Sequence, residues 1–295
     1  MRYNDTSFDP APTPTGGVHM IRAAIFVLTL SLTQASLLLL YPLTLRSFLL
    51  TGSLYTAGSL LSLSLLFHPR NRWLVDSRSW VVGNGRPCVA LTFDDGPDPV
   101  TTPQVLDVLR EKHVRATFFV VGQRAEQHPE LVRRALAEGH LVENHTWSHP
   151  PVFCFLTPGR LRAEIEKCTE TLQRIGGRRP RYFRSPVGLR HALLRPYLRR
   201  AGLEYISWRI RTRDTLNVES GELTGRILNK IMPGDIVLLH DHRAGGVDVL
   251  LGVLPRAIDA LRARGFHFVR VDGWEPSTAL ASDRQNEGLR THTGI

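Results

Sequence analysis

The stretch Cys88-Val89-Ala90-Leu91-Thr92-Phe93-Asp94-Asp95-Gly96-Pro97-Asp98 decides the fold. Its first six residues are short, mostly apolar and bounded by a turn signal, which reads as a buried strand. That strand runs into two adjacent carboxylates and a Gly-Pro turn rather than a glycine-rich phosphate loop. Neither G-x-G-x-x-G nor G-x-x-x-x-G-K-[ST] follows it, which argues against a nucleotide-binding open sheet. Working outward, six more strands are expected at Ala116–Val121, Leu141–Asn144, Arg181–Arg184, Tyr205–Trp208, Ile236–His240 and Phe266–Val271. Between them, apolar residues three and four apart predict helices at Thr102–His113, Pro129–Glu138, Pro158–Ile175, Ala192–Ala201, Glu222–Ile231 and Val249–Arg264. Gly139, Gly176, Gly202 and Gly265 stand where helix C-caps belong. Strands alternating with helices predict an α/β fold with a mainly parallel sheet, with 87–275 as one globular domain.

The rest of the 295 residues divides by composition. Residues 1–19 and 276–295 lack apolar periodicity and are expected to be disordered tails. From Ile21 to Tyr41 the only charge is Arg22, and from Ser47 to Phe67 there is none, so each run has the roughly 20 residues needed to cross a bilayer. Pro42 to Arg46 breaks them, which predicts a hairpin of two transmembrane helices over 20–67, followed by a polar linker, 68–86. Arginines flank the hairpin at Arg2, Arg22, Arg70, Arg72, Arg78 and Arg86, so the positive-inside rule puts both ends on the cytoplasmic side of the cell inner membrane.

Three cysteines without a C-x-x-C pair exclude a disulfide framework and a cysteine-rich zinc site. The formal charge of +10 raises nucleic acid as a partner. No aromatic-basic interleaving, helix-turn-helix or zinc-finger spacing supports it, so the basic surface is read as suited to an anionic membrane or glycolipid.

Chemistry-bearing residues recur at the strand ends. Asp94 and Asp95 end the first strand, and by strand alternation they should point to opposite sides, each free for a separate task. His145 and His149 follow the third strand four residues apart, a spacing that on a helical turn puts both on one face to share a divalent metal. Arg184-Ser185-Pro186-Val187-Gly188 ends the fourth strand, Trp208 leads to Arg213-Asp214 after the fifth, and Leu238-Leu239-His240-Asp241-His242 closes the sixth. In a parallel sheet these ends share one rim, where barrels place their active sites. His191, His242 and Asp98 lie nearby and are read as surface or turn residues.

TFDDGP at 92–97, HTWSH at 145–149, RSPVG at 184–188 and LLH at 238–240 resemble, in order and spacing, the motifs of the polysaccharide deacetylase domain (NodB homology, carbohydrate esterase family 4). The resemblance spans about 87–275. It implies a distorted (β/α)7 barrel that removes an acyl group from an amide nitrogen, usually N-acetyl on an amino sugar. It implies one divalent metal, commonly zinc, on Asp95, His145 and His149. Asp94 would be the general base, His240 the acid, Arg184 the partner of Asp94, and Asp214 the group orienting His240. Pro186, Trp208 and Leu238 would contact substrate, with Leu238 lining the acetyl-methyl pocket. Two departures stand out: Val187 occupies a position that is usually aromatic, and the fourth motif is reduced to Trp208 and Asp214. With a membrane hairpin, the expected partners are an N-acetylated glycan or glycolipid and the membrane. Two other readings stay open, an amidohydrolase of a non-sugar C–N bond and a glycan-binding scaffold with a relict site.

Overall fold

The computed structural model describes residues 74–83, 85–214, 219–242 and 248–273, with helical pieces at 32–33, 36, 49–50 and 52–60. The chain divides into two units, 1–75 and 76–295. In the first, Leu49, Leu50, Leu54, Tyr55 and Leu60 are all exposed. Ser53 and Thr56 turn their hydroxyls back onto the carbonyls of Leu49 and Gly52, at 2.7 and 2.9 Å, as such residues do in apolar helices. Among the described residues no helix is long and apolar enough to cross a membrane. Most of the expected hairpin, and both expected tails, lie outside the described residues.

The second unit is a parallel sheet wrapped by helices. Its elements in order are β1 (Ser77–Arg78), β2 (Cys88–Asp94), α1 (Thr101–Glu111), β3 (Thr117–Val120), α2 (Gly122–Gln127), α3 (Pro129–Ala137), β4 (Leu141–Asn144) and α4 (Pro158–Gly176). There follow β5 (Tyr182–Phe183), α5 (Leu194–Ala201), β6 (Glu204–Ile206), β7 (Ile210–Arg211), α6 (Ser220–Leu228), β8 (Asp235–His240), α7 (Asp248–Ala263) and β9 (His267–Val269). The strands run in the order β1-β6-β5-β4-β3-β2-β8-β7, and β9 pairs with the first half of β2. Every strand pairing is parallel. The path ends at β1 and β7, so the expected distorted (β/α)7 barrel is a curled half-barrel sheet, with two short strands beyond the seven expected. A bridge between Trp80 and Asp235 ties the segment after β1 back to β8.

Strand alternation sorts the side chains into two cores. Val89, Leu91 and Phe93 of β2, Phe118 and Val120 of β3, and Val237 and Leu239 of β8 pack outward against the helices. There Phe93 stacks on Phe118 with centroids 5.1 Å apart. The intervening residues Cys88, Ala90, Phe119, Ile236 and Leu238 form the smaller inner core. Each buried valine, leucine, isoleucine or phenylalanine among them contributes roughly 1.5–3 kcal/mol, so the sheet holds its shape from both faces. By the same alternation Thr92 and Asp94 face inward, toward the site.

The seven expected strands are all present. Two more, β1 and β7, are two residues long and carry no periodicity. β1 pairs with β6 and Val81 is buried, so the sheet recruits part of the stretch expected to be a linker. α4 follows its spacing, burying Leu161, Ile165, Cys168, Leu172 and Ile175. Its left-handed cap is Gly177, at φ 69°, one residue beyond the Gly176 expected there. The helix keeps Gly176 because a Cβ would sit 2.5 Å from Leu136.

Candidate active site

Asp94, Asp95, His145, His149, Val187, Trp208, Arg211, Leu238 and His240 line one cavity of about 160 Å3 at the C-terminal ends of the strands. The two aspartates do not point to opposite sides. Asp94 follows the strand pattern inward, but Asp95 takes φ 76°, a left-handed conformation costly for a non-glycine residue, and this turns its carboxylate into the same cavity. Gly96 comes next because its Cα lies against the Asp241 carboxylate, where a Cβ would collide. Asp241 is buried, accepts the Gly96 N–H at 3.1 Å and the Thr102 hydroxyl at 2.7 Å, and so fixes the turn beneath Asp95.

His145 and His149 are brought together by a loop rather than a helical turn. Thr146 and His149 adopt φ 69° and 52°, and the imidazole centroids stand 5.1 Å apart. Asn144 sets the loop: its Nδ2 donates to the Ile165 carbonyl and Thr169 Oγ1, and its Oδ1 accepts the Thr146 N–H at 2.8 Å. His145 Nδ1 lies 2.8 Å from the Arg184 carbonyl, which makes it the protonated nitrogen and leaves the Nε2 lone pair facing the cavity. Asp95 Oδ1 stands 3.3 Å from His145 Nε2 and 3.0 Å from His149 Nε2. One carboxylate oxygen and two imidazole nitrogens within 4.8 Å of one another are a donor set suited to a divalent ion, and an open three-ligand set is the catalytic kind. Burial opposes ionisation of Asp95, but whenever the two imidazoles carry a second proton, on Nε2, their hydrogen bonds and charges outweigh it and hold the carboxyl well below its usual range.

Arg184 is fully buried and spans the inner sheet face. One nitrogen donates to Asp94 Oδ1 at 2.6 Å and to Thr92 Oγ1 at 2.8 Å, and the guanidinium lies 4.1 Å from the Phe119 ring centre. Carbonyls of Ile206 and Ser207 accept its other N–H groups. A buried charge pair of this kind holds geometry, and removing one partner typically costs about 3–5 kcal/mol.

Across the cavity, Asp214 Oδ1 sits 2.8 Å from His240 Nδ1 while Oδ2 accepts the His240 backbone N–H at 2.8 Å. Nε2 is thereby the nitrogen left for the cavity. Burial disfavours the imidazolium of His240, yet the Asp214 hydrogen bond and charge, with Asp94 and Asp95 behind them, raise it to about 9.

The structure thus brings together Asp94, Asp95, His145, His149, Trp208, Leu238 and His240, with Arg184 and Asp214 in direct support. It does not bring Pro186 to the cavity wall. That proline is buried at the start of a 3-10 turn, Pro186–Gly188, and the next residue, Val187 at φ 57°, reaches the cavity instead. Arg211 also lines the cavity and was missed. Its signal lay in the alternation that puts it on the face of Leu238, but β7 is too short to announce itself. Of the residues read as surface or turn positions, Asp98 accepts the N–H groups of Val100 and Thr101 at the start of α1 and pairs with His242, whereas His191 is buried rather than at the surface, its ring against the Leu156 carbonyl.

A carboxylate fixed by arginine, a histidine fixed by a second carboxylate and a three-ligand set, all on one cavity, are the equipment of a metal-assisted hydrolase. Comparison with known proteins agrees. Residues 82–206 match the polysaccharide deacetylase family. The chain is 37% identical over 188 residues to a peptidoglycan-N-acetylglucosamine deacetylase of Bacillus cereus, covering 61% of this chain and 66% of that protein. It is 37% identical over 193 residues to a chitooligosaccharide deacetylase of Sinorhizobium fredii, covering 62% of this chain and 90% of that one. The crystal structure of the Bc1960 peptidoglycan N-acetylglucosamine deacetylase superposes with a TM-score of 0.63 at 32% identity, over 66% of this chain and 90% of the other. The chain belongs to the polysaccharide deacetylase family, hydrolases of carbon–nitrogen bonds outside peptides.

Proposed function

We propose that this protein removes the N-acetyl group from N-acetylglucosamine units of a glycan, releasing acetate and a free amine. The observation that carries the reading is the convergence of Asp95, His145 and His149 on one point, with Asp94 and His240 lining the same cavity. A divalent metal, zinc by preference for this donor set, would be held by Asp95 Oδ1 and the two Nε2 atoms. When bound it supplies Lewis-acid polarisation of the acetyl carbonyl and makes a neighbouring water more acidic. Asp94 takes the proton from that water as its oxygen bonds to the carbonyl carbon. Arg184 keeps Asp94 aimed through the 2.6 Å hydrogen bond. His240 then gives a proton to the amide nitrogen as the C–N bond breaks, so that the amine leaves neutral. Asp214 holds His240 in the tautomer that presents Nε2. Leu238 and Trp208, both buried, with Val187 at the rim, form an apolar wall suited to the acetyl methyl. The likeness to a peptidoglycan deacetylase and a chitooligosaccharide deacetylase supports N-acetylglucosamine as the sugar.

The reading extends to location. The two apolar runs of the sequence and the exposed leucines of the helix at 52–60 support a hairpin anchor in the inner membrane, with a lipid-linked glycan within reach. The flanking arginines favour the cytoplasmic side, and a periplasm-active reporter fused after Phe67 would contradict that side by showing activity.

The site is tested by two substitutions. Asp94→Asn is expected to abolish acetate release from chitooligosaccharide while leaving one equivalent of metal bound. His145→Ala is expected to lose the metal. Activity retained in both would overturn the proposal.

A further inference from the structure

We propose that Arg211 is a specificity-determining residue that reads an oxyanion, carboxylate or phosphate, carried by the substrate sugar beside its acetamido group. The inference rests on the N-deacetylase reading of the site and deepens it by naming the substrate class. β7 pairs with β8 so that Ile210 lies opposite Val237 and Arg211 opposite Leu238. Ile210 and Val237 belong to the helix-facing core. Alternation therefore projects Arg211 on the Leu238 side, and it lines the cavity with the two aspartates, the metal-site histidines and His240.

Among the described residues this charge has no partner. Three nearby arginines are committed, Arg184 to Asp94, Arg209 to Asp235 at 2.9 Å and Arg226 to Glu222 at 2.6 Å, while Arg213 is exposed and is not among the residues lining the cavity. The carboxylates around the cavity are committed too, Asp94 to Arg184, Asp95 to the two histidines and Asp214 to His240. Arg211 is exposed, and beyond the backbone pairing of β7 with β8 its side chain makes no ion pair or hydrogen bond among the described residues. An unpaired surface arginine is ordinary by itself. This one stands on the wall of a reaction cavity, one strand from the proposed acid, where substituents next to a bound acetamide must pass. Its planar fork offers parallel N–H donors that match a carboxylate or a phosphate two at a time, and such charge-assisted pairs are stronger than neutral ones. A neutral oligosaccharide offers it only hydroxyl and carbonyl oxygens, which accept weaker hydrogen bonds than an anion does.

The test compares three N-acetylated substrates of equal length with zinc-loaded full-length protein: a neutral N-acetylglucosamine oligomer, the same oligomer bearing a carboxylate, and one bearing a phosphate. The wild type is expected to favour at least one anionic substrate over the neutral one by about ten- to a hundred-fold in kcat/KM, the range of one charged hydrogen bond or a bidentate pair. Arg211→Gln should bring that ratio close to one, Arg211→Lys should restore part of it, and added salt should shrink it in the wild type. The two anionic arms tell carboxylate from phosphate. An equal rate on all three in the wild type, or one common loss on all three in Arg211→Gln, would overturn the inference while the deacetylase reading stood. No acetate from any of the three would overturn that reading and the inference with it.

Discussion

Replacing Asp214 with Asn should move the alkaline limb of the pH–rate profile, because His240 owes its high proton affinity to that carboxylate. The Oδ1 to Nδ1 distance is 2.8 Å, the Asp214 side chain is 3% exposed and His240 15%, so water screens the pair weakly. Burial alone would push the imidazole below its ordinary value; with Asp214 in place it is raised to about 9. A group whose value is raised in the folded enzyme keeps its proton below that value and loses it as pH rises through it. The rate should therefore fall above about pH 9 in the wild type. Asparagine preserves the shape and can still accept from the Nδ1–H, but it removes the charge, which should return His240 to about 6.5 or below. At pH 8 the protonated fraction then drops from about nine-tenths to about three-hundredths, a thirty-fold loss, equivalent to about 2 kcal/mol. The assay is kcat/KM for acetate release between pH 6 and 10 at saturating metal, with metal content measured in parallel. A limb that stays near 9 in Asp214→Asn, or a loss equal at all pH values, would refute the assignment of His240 as the acid oriented by Asp214.

Two further outcomes follow from the supporting structure. Asn144→Ala removes the side chain that holds the loop of His145 and His149 through the Thr146 N–H, so zinc affinity measured against a competing chelator should fall about ten- to a hundred-fold; unchanged affinity would show that the loop is held by other contacts. His140 has a side chain 2% exposed, and burial, with the charges of Arg115, Arg270 and Arg134, holds it down to about 4. Its folded value lies below the unfolded one of about 6.5, so the unfolded chain binds the extra proton in that window and stability is lost as pH falls. Denaturant unfolding at pH 7.5 and 4.5 should show the wild type losing roughly 2 to 3 kcal/mol more than His140→Gln, and equal losses would refute a buried neutral imidazole.

What could be read from the sequence depended on how many residues announce a pattern. β2, β3, β4 and β8 have four or more residues with dense apolar or β-branched content, and the long helices repeat buried residues every three or four positions, so their places were legible. β1 and β7 offer only two residues each, below any period, and they exist because neighbouring strands supply their hydrogen bonds. α2 buries only Gly122 and Ala125, too few to show a helical stripe. The site residues were legible by type and position, but their directions were not. The φ of 76° at Asp95 and the loop through Thr146 and His149 depend on Asp241 and Asn144, contacts 146 residues away in the first case and set by α4 in the second. Local spacing suggested opposed aspartates and a helical histidine pair; tertiary contacts turned all four toward one cavity. The sequence likewise does not show that Val187 rather than Pro186 lines the cavity, because that depends on the left-handed backbone at Val187.

Asp94, Asp95, His145, His149 and His240 line one cavity, the proposed N-deacetylating site. The most direct measurement is the yield of acetate and of free amine from an N-acetylglucosamine oligomer, using protein stripped of metal and then reconstituted with zinc. Acetate and amine are expected in equal amounts with zinc, and neither without it. Zinc-loaded protein that releases no acetate, or acetate released equally by the stripped protein, would contradict it.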